Sequence, residues 1–281
     1  MVSETPEGVE NELVVNGTRI HFFEAGAGPC LLLLHGGGPG ASGLSNFQQN
    51  IPELARHFRV IIPDQPGYGR SDKVIPPAGE SRSSYSARTI IGLLDQLNVT
   101  RTHIVGNSLG GRTALVIALT RPERVDRLIL MGPGGGSLPV VTPEPTEGLK
   151  VLQAFYAPPG PSLARMQALV EVMMFDPSKL PLGLVQSRFH AATAPETREF
   201  FEHYFSTPGA REPELWRDLD KVPQKTLLIW GRDDRVIPME SGLYMLKRLP
   251  NAQLHVFPRC GHWAQLEWQS EFDRLLVNFL T

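Results

Sequence analysis

One serine in the chain stands in a pattern that could make it a nucleophile. Residues 105 to 111 read VGNSLGG, so Ser108 has Gly106 two positions before it and Gly110 two positions after it. An apolar run precedes the motif and a longer apolar stretch follows it, which predicts a strand, a sharp turn and a helix. A nucleophilic serine on such a strained turn needs small neighbours to avoid clashes. The alternative is a glycine-rich turn in which Ser108 only caps the helix.

A serine hydroxyl needs a base to become reactive, and the base needs an acid that fixes its tautomer. His262 comes just after the last apolar run, where a loop could carry it toward the serine, whereas His255 lies inside that run. Asp233 and Asp234 follow the apolar run KTLLIWG. Spacing does not choose between them, and one of the two could instead cap the following turn. The residues therefore predict a catalytic triad in the chain order serine, aspartate, histidine.

A glycine-rich loop offers the groups that would stabilise negative charge. The run HGGGPG, residues 35 to 40, also follows an apolar segment. Glycines leave backbone N–H groups accessible, so this loop and the start of the helix after Ser108 predict an oxyanion hole. A phosphate-binding loop is the competing interpretation, but neither G-x-x-x-x-G-K nor G-x-G-x-x-G is present. We expect His35 to brace the loop rather than to transfer protons.

The elements that must position these residues alternate along the chain. Apolar runs begin near residues 30, 59, 102, 127, 225 and 253, and amphipathic or apolar helical patterns fall between them; Ser84 is a candidate N-cap for the first of these helices. Continuous apolar strands are typical of a parallel sheet that is covered on both faces. Residues 11 to 26, around Asn16-Gly17, instead predict a hairpin. The pattern predicts an α/β fold with a mostly parallel sheet flanked by helices.

Residues 135 to 220 interrupt this alternation. GGGSLPVVTPEPTEG is rich in turn formers, and SLARMQALVEVMMF and APETREFFEHYF have helical patterns. A helical insertion after the sixth strand suits a cap over the carboxyl ends of the strands, where open α/β sheets bind ligands. We predict a first core segment at 1–134, a cap at 135–220 and a second core segment at 221–281 that carries the aspartate and histidine of the triad.

Composition argues against several classes of partner. The 281 residues carry a formal charge of −2, and no basic stripe indicates nucleic acid or an anionic membrane. No apolar run approaches the ~20 residues that cross a bilayer, and the N-terminus lacks the pattern of a signal peptide. Cys30 and Cys260 have no metal-ligand spacing and are typical of free thiols in a reducing compartment. We expect a cytoplasmic protein without a metal or cofactor.

Five segments together resemble the α/β-hydrolase superfamily and, more narrowly, its meta-cleavage product hydrolases: HGGGPGASGLSNF, GNSLGG, LILMGPGG, WGRDDRVIP and HVFPRCGHWAQ. These serine-dependent enzymes act on carbon–carbon bonds in the bacterial degradation of aromatic compounds and steroids. They cleave 2-hydroxy-6-oxo-hexa-2,4-dienoates with water to 2-hydroxypenta-2,4-dienoate and a carboxylic acid. The resemblance implies an α/β-hydrolase fold, a small-molecule substrate with a carboxylate, no cofactor and a homo-oligomer, either a dimer or a tetramer.

The resemblance also implies roles for individual residues. Ser108, Asp234 and His262 would form the triad, and the amides of Gly37 and Leu109 would form the oxyanion hole. The substrate's carboxylate and dienol end would be held by Asn46, Asn107, Arg188 and Trp263. Independently of the resemblance, Gly36 is a further candidate contact, and the cap residues Met173 and Phe175 could line the pocket for the variable end of the substrate. From the residues alone, Arg188 is one of several cap arginines and a surface position is the simpler interpretation. Trp263, Met173 and Phe175 could equally be packing residues.

Other functions share parts of the pattern. An ordinary carboxylesterase has the same triad, and a hydrolase-fold receptor would bind a small ligand and turn it over slowly. Proline iminopeptidases need acidic cap residues and usually have tryptophan after the nucleophile, where this chain has Leu109. The residues leave open which substituent at C6 is preferred and whether Ser108 attacks covalently or orients water.

Overall fold

A computed structural model of the protein describes residues 8–136, 145–206 and 210–281, without the side chains at 205 and 206. Part of the predicted turn-rich stretch, residues 137–144, lies outside the described residues. So do residues 1–7, to which the prediction about a signal peptide partly applies.

An eight-stranded sheet forms the centre of the described chain. Its strands are β1 (Val9–Val15), β2 (Thr18–Ala25), β3 (Cys30–Leu34), β4 (Arg59–Pro63), β5 (Thr102–Asn107), β6 (Val125–Met131), β7 (Lys225–Gly231) and β8 (Ala252–Phe257). Their order across the sheet is β1-β2-β4-β3-β5-β6-β7-β8. β1 pairs antiparallel with β2 and β2 antiparallel with β4, whereas all later pairs are parallel. The mostly parallel sheet predicted from the apolar runs is confirmed.

The predicted hairpin is confirmed at its turn. Asn16 and Gly17 join β1 to β2 with φ of 50° and 83°. Positive φ at both central residues is the requirement of the turn type that matches the twist of a two-residue hairpin, and Asn-Gly adopts it most readily.

Helices surround the sheet and extend over one of its ends. They are α1 (Gly43–Phe47), α2 (Ile51–Leu54), α3 (Arg82–Gln96), α4 (Leu109–Thr120), α5 (Glu147–Ala154), α6 (Leu163–Val172), α7 (Leu184–Thr193), α8 (Pro195–Ser206), α9 (Glu240–Arg248), α10 (Ala264–Glu267) and α11 (Gln269–Leu280). In the described ranges, no helix has both the length and the apolar character that crossing a lipid bilayer requires. The N-cap of α3 is Ser81 rather than Ser84: Ser81 is extended and its hydroxyl accepts a hydrogen bond from the Ser84 amide, so the helix begins earlier than predicted.

The continuous apolar strands bury both faces of the sheet. In β3, Leu32 and Leu34 pack in one core cluster with residues of α3, α4 and α9. Leu31 and Leu33 point to the opposite face and pack in a second cluster with residues of α2 and α11. Because successive strand residues alternate between faces, only an unbroken apolar run supplies both cores.

The helical insertion after the sixth strand is also confirmed. α5 to α8 lie between β6 and β7 in the chain. Apolar side chains of α5 to α7 and their connections form a third cluster with Val236 and Trp263, which follow β7 and β8. The insertion therefore packs on the loops at the carboxyl ends of these strands. The exact boundaries at residues 135 and 220 stay predictions.

A buried acid on α11 predicts that the free energy of unfolding depends on pH in the wild type but not in a variant without this acid. Asp273 is 3% exposed and accepts a hydrogen bond of 2.7 Å from Asn50 Nδ2. Burial raises the pKa of Asp273 to about 7. The folded state therefore keeps a proton that the unfolded chain has released, and the wild type loses stability as the pH rises from about 4 to the folded pKa.

Asp273→Asn removes this proton dependence. The variant should match the wild type near pH 4 and exceed its unfolding free energy by roughly 1–3 kcal/mol at pH 8.5. Urea unfolding at both pH values measures the difference. Glu271→Gln, an exposed change on the same helix, serves as the matched control and should show no such trend. An Asp273→Asn effect that is the same at both pH values would contradict the interpretation.

Candidate active site

Ser108 occupies a sharp turn between β5 and α4. Its φ of 51° and ψ of −109° are unusual for a residue with a side chain. The Ser108 N–H donates to the carbonyl of Met131 at 2.8 Å, and the Ser108 carbonyl accepts from Gly134 N at 3.1 Å. Its hydroxyl makes no capping hydrogen bond to the described residues of α4. The turn is thus held by backbone bonds to the end of β6, which leaves the hydroxyl for another role.

The glycines around Ser108 are a packing requirement. A Cβ atom at Gly106 would lie 2.5 Å from the carbonyl oxygen of Gly110. A Cβ atom at Gly110 would lie 2.1 Å from the carbonyl oxygen of Leu34. Because α4 crosses so closely over β3 and β5, any side chain at these positions would push the helix away from the sheet.

His262 and Asp234 form a buried pair at the ends of β8 and β7. His262 Nδ1 and Asp234 Oδ2 are 2.7 Å apart, and the two residues are 5% and 8% exposed. This contact places the imidazole proton on Nδ1 and leaves Nε2 as the proton acceptor. Nε2 is buried and has no hydrogen-bond partner among the described residues. The pair therefore has the geometry of a general base with its orienting acid.

The second aspartate of the pair is the one that reaches the imidazole. Asp234 Oδ1 also accepts from the amides of Val236 and Ile237, at 2.7 and 3.0 Å, so this residue caps the following turn as well. Asp233 instead faces the guanidinium of Arg232 at 3.4 Å. The two roles that spacing suggested for separate aspartates are both performed by Asp234.

The segment that follows β6 lies against both Ser108 and the histidine pair. A Cβ atom at Gly132 would be 3.0 Å from His262 Cε1 and 3.3 Å from Asp234 Oδ2. The residue before it, Met131, binds the Ser108 amide. The turn after β6 thus lies next to Ser108 and next to the His262–Asp234 pair, although these residues are far apart in sequence. No hydrogen bond joins Ser108 to His262 Nε2 in the described structure.

The loop at residues 35–40 borders the same turn. Leu109 is the first residue of α4, so its N–H is one of those that a helix leaves without an intrahelical partner. A Cβ atom at Gly37 would lie 3.4 Å from Leu109 Cβ, so the two residues predicted to supply the oxyanion donors are neighbours. The Gly36 amide, in contrast, donates to Asn46 Oδ1 at 3.1 Å. Gly36 and Asn46 hold the loop in place.

His35 is engaged at both ring nitrogens. Its Nδ1 lies 2.8 Å from the Gly36 carbonyl, and its Nε2 accepts from the Gln65 amide at 2.9 Å. Burial lowers the pKa of His35, so the ring is neutral. These contacts brace the glycine loop.

Arg188 on α7 is a buried cation without a carboxylate partner among the described residues. It is 1% exposed, its Nη2 donates to the Pro39 carbonyl at 3.0 Å, and its guanidinium lies 5.3 Å from the Trp263 ring centre. Nε and Nη1 have no hydrogen-bond partner in the described structure. Burial lowers the pKa of Arg188 to about 10, so it remains charged at neutral pH. A surface position is therefore the wrong interpretation for Arg188. The side chain is buried because α7 packs on the glycine loop.

Three of the remaining predicted residues are buried and one is exposed. Asn107 is fully buried beside Ser108 and its Oδ1 has no partner among the described residues. Trp263 and Met173 are buried together in the third cluster, and the Met173 carbonyl accepts from the His262 amide at 2.7 Å. Phe175 departs from the prediction: it is 41% exposed and its ring lies against the Arg259 guanidinium. Its backbone amide donates to the buried carboxylate of Glu267 at 3.0 Å, while its ring lies on the Arg259 side.

Besides Asp273, sequence reasoning missed the buried carboxylates of Asp64 and Glu267. Asp64 contacts His21 Nδ1 at 2.9 Å and accepts from the amides of Gly43 and Arg70. Asp64 could have been identified from the sequence, because it follows an apolar strand as Asp234 does. Glu267, described below, had only the weak signal of an acid within a short apolar helix. The described residues include no group of three or more His, Cys, Asp or Glu side chains that could hold a metal ion.

Comparison with known proteins gives one consistent picture. Residues 29–268 match the family model of the alpha/beta hydrolase fold. A 2-hydroxy-6-oxo-6-phenylhexa-2,4-dienoate hydrolase from Burkholderia cepacia is 43% identical, over 96% of this chain and 94% of that protein. A 2-hydroxy-6-oxononadienedioate/2-hydroxy-6-oxononatrienedioate hydrolase from Comamonas testosteroni is 42% identical over the same shares.

Solved structures agree with these matches. A 2-hydroxy-6-oxo-6-phenylhexa-2,4-dienoate hydrolase from Rhodococcus sp. strain RHA1 superposes with a TM-score of 0.88 and 35% identity, covering 99% of this chain and 100% of that one. A meta-cleavage product hydrolase from Pseudomonas fluorescens IP01, a serine-to-alanine mutant complexed with acetates, gives a TM-score of 0.84 and 34% identity, over 96% and 97% of the two chains.

Proposed function

This chain belongs to the α/β-hydrolase family and, within it, to the meta-cleavage product hydrolases, and we propose that it hydrolyses a carbon–carbon bond in a 2-hydroxy-6-oxo-hexa-2,4-dienoate. The products are 2-hydroxypenta-2,4-dienoate and a carboxylic acid. The observation that carries the proposal is the buried Arg188 on the glycine loop, which borders the serine turn, together with the histidine–aspartate pair. Such substrates arise in the breakdown of aromatic compounds.

Arg188 supports a carboxylate-bearing substrate. A buried charge without a partner is costly, and an anion that binds there recovers much of that cost. Nε and Nη1 lack partners among the described residues, so guanidinium N–H groups remain available to donate charge-assisted hydrogen bonds to a substrate carboxylate. A free amine would be repelled at this position. The geometry therefore favours a dienoate over the substrate of an iminopeptidase.

The triad supplies the nucleophile. His262 Nε2 takes the proton from the Ser108 hydroxyl, or from water that Ser108 orients. Asp234 keeps the other proton on Nδ1 and stabilises the imidazolium that forms. The oxygen attacks the C6 ketone, and the amides of Gly37 and Leu109 stabilise the oxyanion by about 3 kcal/mol each.

Carbon–carbon cleavage also needs a place for the electrons of the breaking bond. The 2-hydroxyl proton is lost and C5 gains a proton, which converts the dienol to a 2-keto form in which C2, C3 and C4 are conjugated. When the C5–C6 bond breaks, its electron pair moves through this system to the C2 oxygen. Addition of one water across the bond completes the two products. His262 is placed to assist the proton transfer as well as the attack.

The other predicted contacts are assigned according to the polar atoms or the apolar surface that each side chain can offer to the substrate. Asn107 offers a buried amide oxygen next to Ser108, and Trp263 and Met173 offer apolar surface beside His262. Asn46 and Gly36 act by shaping the glycine loop, because their polar groups bind each other. We do not assign Phe175 to the site, since it is 41% exposed and its ring lies against Arg259.

We further propose that residues 135–220 act as the cap between core segments 1–134 and 221–281. Cys30 and Cys260 are free thiols, which is the form expected in the cytoplasm. A homo-oligomer, dimer or tetramer, is proposed by similarity to the family and can be tested by light scattering.

A direct assay tests the function. The purified protein should bleach the yellow dienolate of a 6-phenyl or 6-alkyl substrate without an added cofactor, and chromatography should find equal amounts of the two acids. Brisk hydrolysis of simple esters or peptides, with several dienolates left intact, would instead indicate a carboxylesterase or an iminopeptidase. Binding of a dienolate with scarcely any turnover would indicate a receptor.

A further inference from the structure

Glu267, at the end of α10, joins the loop of His262 to the cap. The residue is 5% exposed. Its Oε2 accepts from the Gly261 amide at 2.6 Å, and its Oε1 accepts from the amides of Asp176 at 2.8 Å and Phe175 at 3.0 Å. Hydrogen bonds from backbone N–H groups to a carboxylate are among the stronger ones in proteins. A single carboxylate thus holds two backbone segments that are remote in sequence.

The two segments also touch directly. The His262 amide donates to the Met173 carbonyl at 2.7 Å. A Cβ atom at Gly261 would lie 2.6 Å from the same carbonyl oxygen, so only glycine allows this approach. Arg235, which follows Asp234, donates from Nη2 to the Glu171 carbonyl at 2.7 Å. The loops that carry the acid and the base are therefore both attached to the end of α6.

We propose that Glu267 is a positioning residue for His262. Through Glu267, the alignment of the imidazole depends on the packing of the cap against the loop that carries His262. Gly261 immediately precedes His262, so a shift of the Gly261 amide displaces the ring relative to Ser108. Displacements near 1 Å in a catalytic group cost up to about 100-fold in rate. The inference rests on the proposed role of His262 as the base.

Glu267→Gln tests the proposal with little change in shape. The amide NH₂ group cannot accept a hydrogen bond, so the variant loses the link either to Gly261 or to the cap. We expect kcat to fall about 10- to 100-fold while KM stays within about threefold. The rate constant for labelling of Ser108 by a fluorophosphonate should fall in parallel, because labelling needs the serine and its base but no dienoate.

Two further variants keep the test decisive. Glu267→Asp retains the charge but is too short to reach both segments, and it should lower the labelling rate as well; it replaces Glu267→Gln if that variant does not fold. Glu271→Gln, at the exposed surface of α11, is the matched control and should leave labelling unchanged. Wild-type labelling and kcat in both Glu267 variants, with only a lower unfolding midpoint, would reduce Glu267 to a structural anchor and overturn the proposal.

Labelling also separates this inference from the proposed function. A wild-type protein that reacts quickly with the fluorophosphonate but leaves dienoates intact would refute the proposed substrate and still allow the Glu267 test. A wild-type protein that does not react would refute the role of His262, and the inference would fall with it.

Discussion

Replacement of Ser108 by alanine is expected to reduce kcat by about 10⁴- to 10⁶-fold and to leave substrate affinity within a few-fold of the wild type. The change removes one oxygen atom. The turn itself is held by the backbone bonds of Ser108 to Met131 and Gly134, which alanine keeps. Arg188 and the glycine loop would therefore still bind the dienoate.

Stopped-flow absorbance measures both quantities, since the bound dienolate remains visible when it is not cleaved. Ser270→Ala, at an exposed position in the first turn of α11, is the control and should behave as the wild type. A Ser108→Ala variant that keeps a tenth or more of wild-type kcat would show that the hydroxyl takes no part in the rate-limiting chemistry. Rapid quenching of the wild type and mass spectrometry of the Ser108 peptide distinguish an acyl-enzyme from attack by oriented water.

Replacement of Arg188 by methionine is expected to lower kcat/KM for a dienoate by about 10²- to 10³-fold, chiefly through KM. Truncating one partner of a buried charge pair costs 2–5 kcal/mol or more, and the substrate carboxylate is the proposed partner. The same change should leave the free protein as stable as the wild type or more stable. Methionine fills a similar volume and removes a buried guanidinium that has no carboxylate partner among the described residues.

A substrate without a carboxylate makes the Arg188 prediction specific. Hydrolysis of a p-nitrophenyl ester should change less than about threefold in Arg188→Met, because the triad is intact. Arg198→Met removes an exposed cap arginine that pairs with Glu202 and should alter neither reaction. Equal losses on the dienoate and the ester would contradict the carboxylate role and indicate a general disturbance of the site.

The amino-acid sequence by itself determined the elements and the serine turn. Apolar runs, their glycine-rich ends and the Asn16-Gly17 turn are local patterns, and strand or helix formation responds mainly to such neighbours. Glycine at position 106 is likewise a local requirement, because a Cβ atom there would meet Gly110 and Gly111 of the same strand–turn–helix unit, whereas Gly110 is crowded by Leu34 of a strand remote in sequence. These features could be predicted without coordinates, and so could the order of the triad along the chain.

Only the tertiary structure decided which of several equivalent residues reach the site. Asp233 and Asp234 are indistinguishable by spacing, and the geometry of the turn after β7 directs Asp234 toward His262. Arg188 differs from the other cap arginines because α7 docks on the glycine loop, and Phe175 has an exposed ring although its amide binds the buried Glu267. Such contacts join segments remote in sequence, so they depend on strand order and on the packing of the cap, which no local pattern encodes.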